Sequence, residues 1–574
     1  MVEGIIRKVK PDYIQCDSKG HPGFSSYPTK VGTPAPGFVK DPLRIWRDVT
    51  AEHGVALYVH HSGVWDTEAL RQHPSWSCVR ETGKRHPDST SLFSPYVDKV
   101  LIPQIKELSD EYDVDGIWID GECWAACQDY GAKVLRKFRE ETGIEEVPRK
   151  PDDPCFFEFT EFIREAFRHY LNHYVTEVHK HNPDFQICSN WAYSSYMPEP
   201  VEIDVDFLSG DYPLTNSVNM ARLESRCLVY QGKPWDLMAW GFTSRWEECS
   251  RTLKSAVQMM QEAAVTISQG GGIQFYFQQR LDGSISEWQM EPMAEVAKFC
   301  RERQDFCHGA VPVPQIAMVY PGKAYYRKCA RIFSPWSSSG DRLLDPMRGV
   351  LQNLLDSQNI VDITMEHQIT GRMNDYPLIV LPEWGYLDKK FKDELLAYVE
   401  EGGNLLLVGP EAAALFKRQL GVRFVGKSET MEHWLMHDGY MCNLKTPTQK
   451  VVIKDSARSF GELFEENNDQ CASIPAASIA KCGKGRIAAI YTNLGERYDK
   501  ARNSVSRDFL NSLVCELFPT PLVEVSGSHL VDVAATRKDG KLMINLINTS
   551  GPHGDDNVYV FDEIQPVGPL EISI

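Results

Sequence analysis

The 574-residue sequence lacks a run of eighteen apolar residues, so nothing in it reads as a membrane-spanning helix. It lacks a basic excess: 61 Lys and Arg against 79 Asp and Glu leave a net charge of −18, which argues against a nucleic-acid or anionic-membrane partner. It lacks a second cysteine pair at ligand spacing beside Cys123 and Cys127, so no zinc site is expected among its fifteen cysteines. There is no GxGxxG or Walker pattern, so no nucleotide cofactor is implied. Internal repeats, low-complexity tracts and long charge runs are also missing. The start, Met1-Val2-Glu3-Gly4, has no leader pattern, and the scattered cysteines suit a reduced, cytoplasmic protein.

Present instead is a regular alternation of strand-like and helix-like segments from residue 11 to about 305. Strands are predicted at Tyr13–Asp17, Ala56–His61, Gly116–Asp120, Phe185–Asn190, Val205–Asp211, Trp235–Phe242 and Gly271–Phe277. The clearest helices between them are Val97–Tyr112, Phe157–His181 and Cys249–Ser268. Such a βαβα rhythm predicts a (β/α)8 TIM-type barrel over residues 1–307, with seven strands visible and the remaining one degenerate within residues 1–10 or absent from the chain. His308–Pro314 reads as a linker. A flavodoxin-like doubly wound domain is expected over 315–520, with strands at Ile316–Tyr320, Val361–Thr364, Leu378–Pro382, Asn404–Val408 and Arg486–Tyr491. A small all-β domain over 521–574 is built around an Asp539-Gly540 hairpin turn.

The predicted strand ends carry the polar chemistry. They hold Asp17, Lys19 and His21, then His60, His61, Trp65 and Asp66, then Asp120 and Glu122. Further along come Asn190 and Trp191, Asp211 and Tyr212, Trp240, and Gln278. In a β/α barrel these positions share one mouth, and carboxylates beside indoles suit a sugar site. For each the plainer reading is structural: a capping Asp, a satisfied strand-end His, a packed Trp, most plausible for Trp118. A His/His/Asp metal site from His60, His61 and Asp17 is conceivable but not demanded by spacing, so no metal is expected. Asp120 and Glu122 alternate by two and would share a face only if no tight turn falls at Gly121.

Several stretches resemble family 29 α-L-fucosidases. Lys10 to Lys30, with Asp17-Ser18-Lys19-Gly20-His21-Pro22-Gly23-Phe24, is similar to that family's second strand and its Lys-His-His-Asp-Gly-Phe pattern. His53 to Ser62 with Trp65-Asp66 resembles the third strand, and Pro234-Trp235 with Trp240-Gly241-Phe242 a later Trp-rich segment. Asp115-Gly116-Ile117-Trp118-Ile119-Asp120-Gly121 resembles the strand closed by the catalytic nucleophile. The resemblance implies that Asp120 is the nucleophile and that His21 is one of a sugar-binding histidine pair. The first histidine of that pair is Gly20 here, the following aspartate is Pro22, and the family's His-Trp-Gly first strand has no counterpart. Where the family places its acid/base, this chain has Val205 to Pro213, making Asp211 the candidate and Glu224 a weaker one.

The domain order also resembles family 42 β-galactosidases, whose middle domain mediates trimerisation; Tyr376 to Pro382 is similar to that domain. This second resemblance implies Glu122 as acid/base and a homo-oligomer. The sequence is therefore read as a retaining exo-glycosidase, with Asp120 and Asp211 catalytic. Lys19, His21, His60, His61, Trp65, Glu122, Asn190, Trp191, Tyr212 and Trp240 are its expected carbohydrate contacts. The alternatives are a family 42-like galactosidase using Glu122 and a catalytically silent carbohydrate-binding barrel.

Overall fold

The computed structural model describes residues 1–245, 250–280, 282–334, 343–555 and 557–574. It has a mixed α/β fold with large sheets. Seven parallel strands form two arcs near the chain's start. β1 (Tyr13–Lys19), β2 (Ala56–Ser62), β3 (Gly116–Asp120) and β4 (Gln186–Ser189) pair in that order. β5 (Leu208–Asp211), β6 (Trp235–Trp240) and β7 (Gly272–Tyr276) make the second arc. Backbone bonds from Asp206 N to Ile187 O (2.9 Å) and Trp191 N to Ser209 O (3.2 Å) run from one arc to the other. Tyr13 on β1 donates its hydroxyl to Asp236 on β6 at 2.5 Å.

The strands have this character because they are covered on both sides. Ile117 and Ile119 on β3 are fully buried in the main core, which includes Phe159, Ile163 and Phe167 of the helix Phe156–His181. Trp118 points the other way and is buried with Cys188 and Met238. This alternation fixes which residues of β1–β3 face which side, and a bulge between Asp17 and Lys19 resets it at the end of β1.

Three predicted features are corrected. Residues 2–9 form a helix, Val2–Val9, so that segment holds no degenerate strand. The helix expected from Cys249 begins at Ala256, with Ser255 accepting from Gln258 N as its cap; Ser250–Leu253 is instead a strand paired with Phe242–Arg245, and Cys249 lies outside the described residues. Of the linker, Val311–Pro312 is an edge strand against Val531–Lys538.

Beyond it, β8 (Ile316–Tyr320), β9 (Val361–Met365), β10 (Leu378–Leu381) and β11 (Asn404–Val408) lie in a second sheet. They are followed by β12 (Val422–His437), β13 (Tyr440–Ile453), β14 (Ala457–Phe464), β15 (Ser473–Cys482) and β16 (Gly485–Ile490). The nine-stranded order is β9-β8-β10-β11-β16-β15-β14-β12-β13. The first five are parallel, in a doubly wound order. The last four continue antiparallel, a part of the sheet that the sequence reading does not anticipate. The strands Val531–Lys538 and Lys541–Asn548 form the hairpin expected at Asp539-Gly540, where both φ values are positive. Asp532 on that hairpin receives Arg222 at 2.8 Å and Arg226 at 3.4 Å, buried ion pairs that tie it to the helix Ser217–Leu228. No helix among the described residues is long and apolar enough to cross a membrane.

Candidate active site

Asp120 closes β3, and its carboxylate is the hub of a polar cluster. Oδ1 accepts from Gly121 N (2.6 Å), Trp124 Nε1 (2.8 Å) and Asn190 Nδ2 (2.9 Å). Oδ2 faces His60 Nε2 at 3.3 Å and His21 Nε2 at 3.4 Å. Burial pushes this carboxyl's pKa up, but the two histidines outweigh it and hold the pKa well below the usual carboxylate range. Asp120 is therefore ionised and multiply held, with its Oδ2 the more loosely engaged oxygen.

Each histidine is fixed from behind. His60 Nδ1 meets Asp17 Oδ1 at 2.9 Å, so the ring bridges two carboxylates. Burial alone would lower its pKa; Asp120 and Asp17 raise it to about 10. His21 Nδ1 meets Ser62 Oγ at 2.7 Å, and Ser62 donates to Trp65 O at 2.6 Å, so the hydroxyl is left to accept the Nδ1 proton. Around His21 stand Trp65 and Trp124, their own ring centroids 5.4 Å apart.

Asp211 ends β5. Burial first, then the neighbouring charge of Asp120, raise its pKa to about 7, against hydrogen bonds from Asn190 and Trp191 that lower it. Asn190 donates to Asp120 and lies near enough to Asp211 to lower that carboxyl's pKa. The two acids carry opposite perturbations, one kept ionised and one raised so that it is about half protonated near neutrality. Trp240 is half-buried at the end of β6, edge-on to Phe242 (5.5 Å) and Tyr276 (5.3 Å).

Other predicted residues are buried in the packed protein. Lys19 is buried in an ion pair with Asp66 Oδ2 (3.0 Å) and donates to Tyr96 Oη (2.7 Å). His61, fully buried, meets Ser18 Oγ at 3.0 Å, and burial with the nearby Lys19 charge holds its pKa well below the ordinary value. Tyr212 is buried with its hydroxyl on Glu262, and Trp191 stacks on Tyr196 at 4.0 Å. Glu224 is buried against Ser195 Oγ (2.7 Å), its pKa raised by burial to about 8.

Glu122 is 0 % exposed, its Oε2 accepting from Ser189 (2.6 Å) and Tyr174 (2.8 Å). Gly121, at φ +61°, makes the tight turn that separates its direction from that of Asp120. Burial raises the Glu122 pKa to about 7. Sequence reasoning places Asp17 at the mouth only as a strand-end residue and a conceivable metal ligand, and it leaves Ser62 and Trp124 out of the expected contacts. The signal for Trp124 is its position four residues after Asp120, beyond a glycine able to turn the chain back.

The sequence model of the family described as alpha-L-fucosidase matches residues 8–304. No match is found among the curated proteins. Among solved structures, α-L-fucosidase isoenzyme 2 from Paenibacillus thiaminolyticus is similar at TM-score 0.81 and 16 % identity, over 100 % of this chain and 88 % of that one. A catalytic mutant of a GH42 β-galactosidase from G. stearothermophilus is similar at TM-score 0.70 and 13 % identity, over 96 % and 90 %. A β-galactosidase from Bacillus circulans sp. alkalophilus is similar at TM-score 0.70 and 12 % identity, over 96 % and 90 %. At these identities the structural likeness speaks for the fold.

Proposed function

The chain belongs to the alpha-L-fucosidase family and is a glycosidase, and from that premise we propose an exo-acting, retaining enzyme that removes a terminal α-L-fucoside-like sugar. In this reading the two parallel arcs make up one β/α barrel with the sugar at the C-terminal strand ends. The observation that carries the reading is the pair Asp120 and Asp211, two strand-end carboxyls with opposite perturbations: His21 and His60 hold Asp120 ionised, while burial and the Asp120 charge raise Asp211 to about 7.

The chemistry follows from that pair. Asp120 Oδ2 attacks the anomeric carbon while Asp211 gives its proton to the departing oxygen, so the C1–O bond breaks as the C1–Oδ2 bond forms. Asp211, now ionised, takes a proton from water, whose oxygen displaces Asp120 and restores both groups. Gly121 N, Trp124 and Asn190 keep Oδ1 fixed through both steps, which removes the need to reorganise at the moment of reaction. His21 and His60 border the attacking oxygen and are placed to contact ring hydroxyls; Trp65, Trp124 and Trp240 offer apolar faces. Lys19, His61 and Tyr212 support the site from within the packed protein, where their partners hold them. Glu122 is the lesser candidate for this role, because it is fully buried with Tyr174 and Ser189 on its carboxylate, whereas Asp211 is partly exposed.

The test is a screen of p-nitrophenyl α-L-fucoside, β-D-galactoside and α-L-arabinofuranoside on wild type and Asp120→Asn. Turnover lost in the variant, and restored by azide as a glycosyl azide of inverted anomer, supports Asp120 and names the sugar. Turnover that survives the substitution rejects it. The segment 315–520 is proposed to mediate association between copies, supported by the exposed Val425, Tyr440 and Val452 on its long hairpin; a monomeric mass in light scattering would reject that.

A further inference from the structure

Three ligand atoms in the candidate site converge on one point. His21 Nε2 and His60 Nε2 lie 3.4 and 3.3 Å from the same oxygen, Asp120 Oδ2. All three lie within 4.8 Å of one another. Zinc binds imidazole nitrogen at about 2.0–2.1 Å and carboxylate oxygen at about 2.0–2.2 Å, and a tetrahedron with such bonds has edges of about 3.3–3.5 Å. Both histidine–carboxylate separations fall on that edge length. The histidine–histidine edge is bounded at 4.8 Å.

The outer contacts fit as well. A metal-bound histidine usually passes its other ring N–H to a carboxylate, carbonyl or hydroxyl that fixes the tautomer. His60 Nδ1 already has Asp17 Oδ1 at 2.9 Å, and His21 Nδ1 already has Ser62 Oγ at 2.7 Å. Asp17 is itself held by Ser26. The protein supplies three donors, which leaves a fourth position for water. The carboxylate balances part of the cation's charge, and Trp65 and Trp124 flank His21. The sequence-level trio of His60, His61 and Asp17 is not the one assembled, because His61 faces Ser18 on the other side of β2.

We propose that His21, His60 and Asp120 form a binding site for a zinc-class divalent cation, which on binding occupies the catalytic carboxylate and competes with the sugar. The cation takes the place of the His60 Nε2 proton shared with Asp120, and that proton leaves to solvent. Only the competition rests on the function proposed above; the binding does not.

The experiment titrates ZnCl2 into the full chain by calorimetry, and Co2+ by visible absorption, with wild type, His21→Gln, His60→Gln and Asp17→Asn. A surface control is His173→Ala, whose ring is paired with Asp98 far from the site in sequence. The expected result is one saturable equivalent with tetrahedral Co2+ bands, lost in both glutamine variants, weakened about 10–100-fold in Asp17→Asn and unchanged in His173→Ala. In hydrolysis assays zinc then raises KM without lowering kcat. No saturable binding, binding that survives both glutamine variants, or a thiolate charge-transfer band placing the metal on cysteine would each overturn the site. Binding with the expected variant pattern but noncompetitive inhibition would overturn the competition alone. A chain inactive on every glycoside would reject the proposed function while calorimetry still decides the site. Circular dichroism of each variant separates lost ligation from lost folding.

Discussion

Trp124 donates its indole N–H to Asp120 Oδ1 at 2.8 Å, reaching back across the left-handed turn at Gly121. A donor on the oxygen that does not attack steadies the carboxylate and helps keep it ionised in a buried setting. Trp124→Phe removes the donor and keeps most of the ring. A hydrogen bond to a charged group is worth about 1.5–3 kcal/mol, so kcat/KM should fall roughly 10–100-fold at unchanged thermal stability. Activity equal to wild type would show that the contact is incidental.

The alkaline side of the pH–rate profile should belong to Asp211. Its pKa is raised to about 7 by burial and by Asp120, and the acid role needs the protonated form, so kcat/KM falls as pH rises through about 7. Asp120 stays ionised well below the usual carboxylate range, which puts the acid limb low. Asp211→Asn should lose about 10²–10⁴-fold on alkyl glycosides and much less on p-nitrophenyl glycosides, whose leaving group needs little proton assistance. Persistence of the alkaline limb in this variant would move the role to Glu122 or Glu224.

Glu122 makes the opposite prediction: an effect on stability, with little on rate. Its pKa is raised to about 7 by burial, against about 4.3 in an unfolded chain. The neutral carboxyl is therefore the form the fold prefers. Its contribution is fully present below about pH 4.3 and is lost as pH rises through about 7, on the order of 4 kcal/mol in all. Glu122→Gln stays neutral, so its melting temperature relative to wild type should be higher at pH 8 than at pH 5, with kcat within tenfold. A collapse of kcat would restore Glu122 as a proton donor.

Lys19→Met should act on the fold. It leaves Asp66 buried without its cation, a loss of about 3–5 kcal/mol when one partner of a buried pair is removed. Asp66 keeps its hydrogen bonds from Tyr96 and from Ala69 N, the helix cap. Denaturant unfolding should show the loss while KM of the folded fraction stays within about threefold. A large KM change at full stability would put Lys19 on the sugar.

Much of this was legible from residue order. The periodicity places all seven parallel strands within a few residues of where they lie, and Gly116–Asp120 ends where predicted. Asp120, His21 and His60, which the sequence reading assigns to the ends of three separate strands, are found together. The Asp539-Gly540 turn follows from local signals alone.

What failed to read out did so for identifiable reasons. His60 and His61 are neighbours in sequence, yet alternation along β2 turns one to Asp120 and the other to Ser18. The bulge after Asp17 aims Lys19 into the core, and one positive φ at Gly121 parts Glu122 from Asp120. The sequence by itself determined the seven parallel strands near the chain's start and their polar ends, because hydrophobic period and turn chemistry are local properties. Only the tertiary structure decided which polar ends meet and which are buried as supports. Burial, distance and the resulting protonation states belong to residues far apart in the chain, brought together by packing.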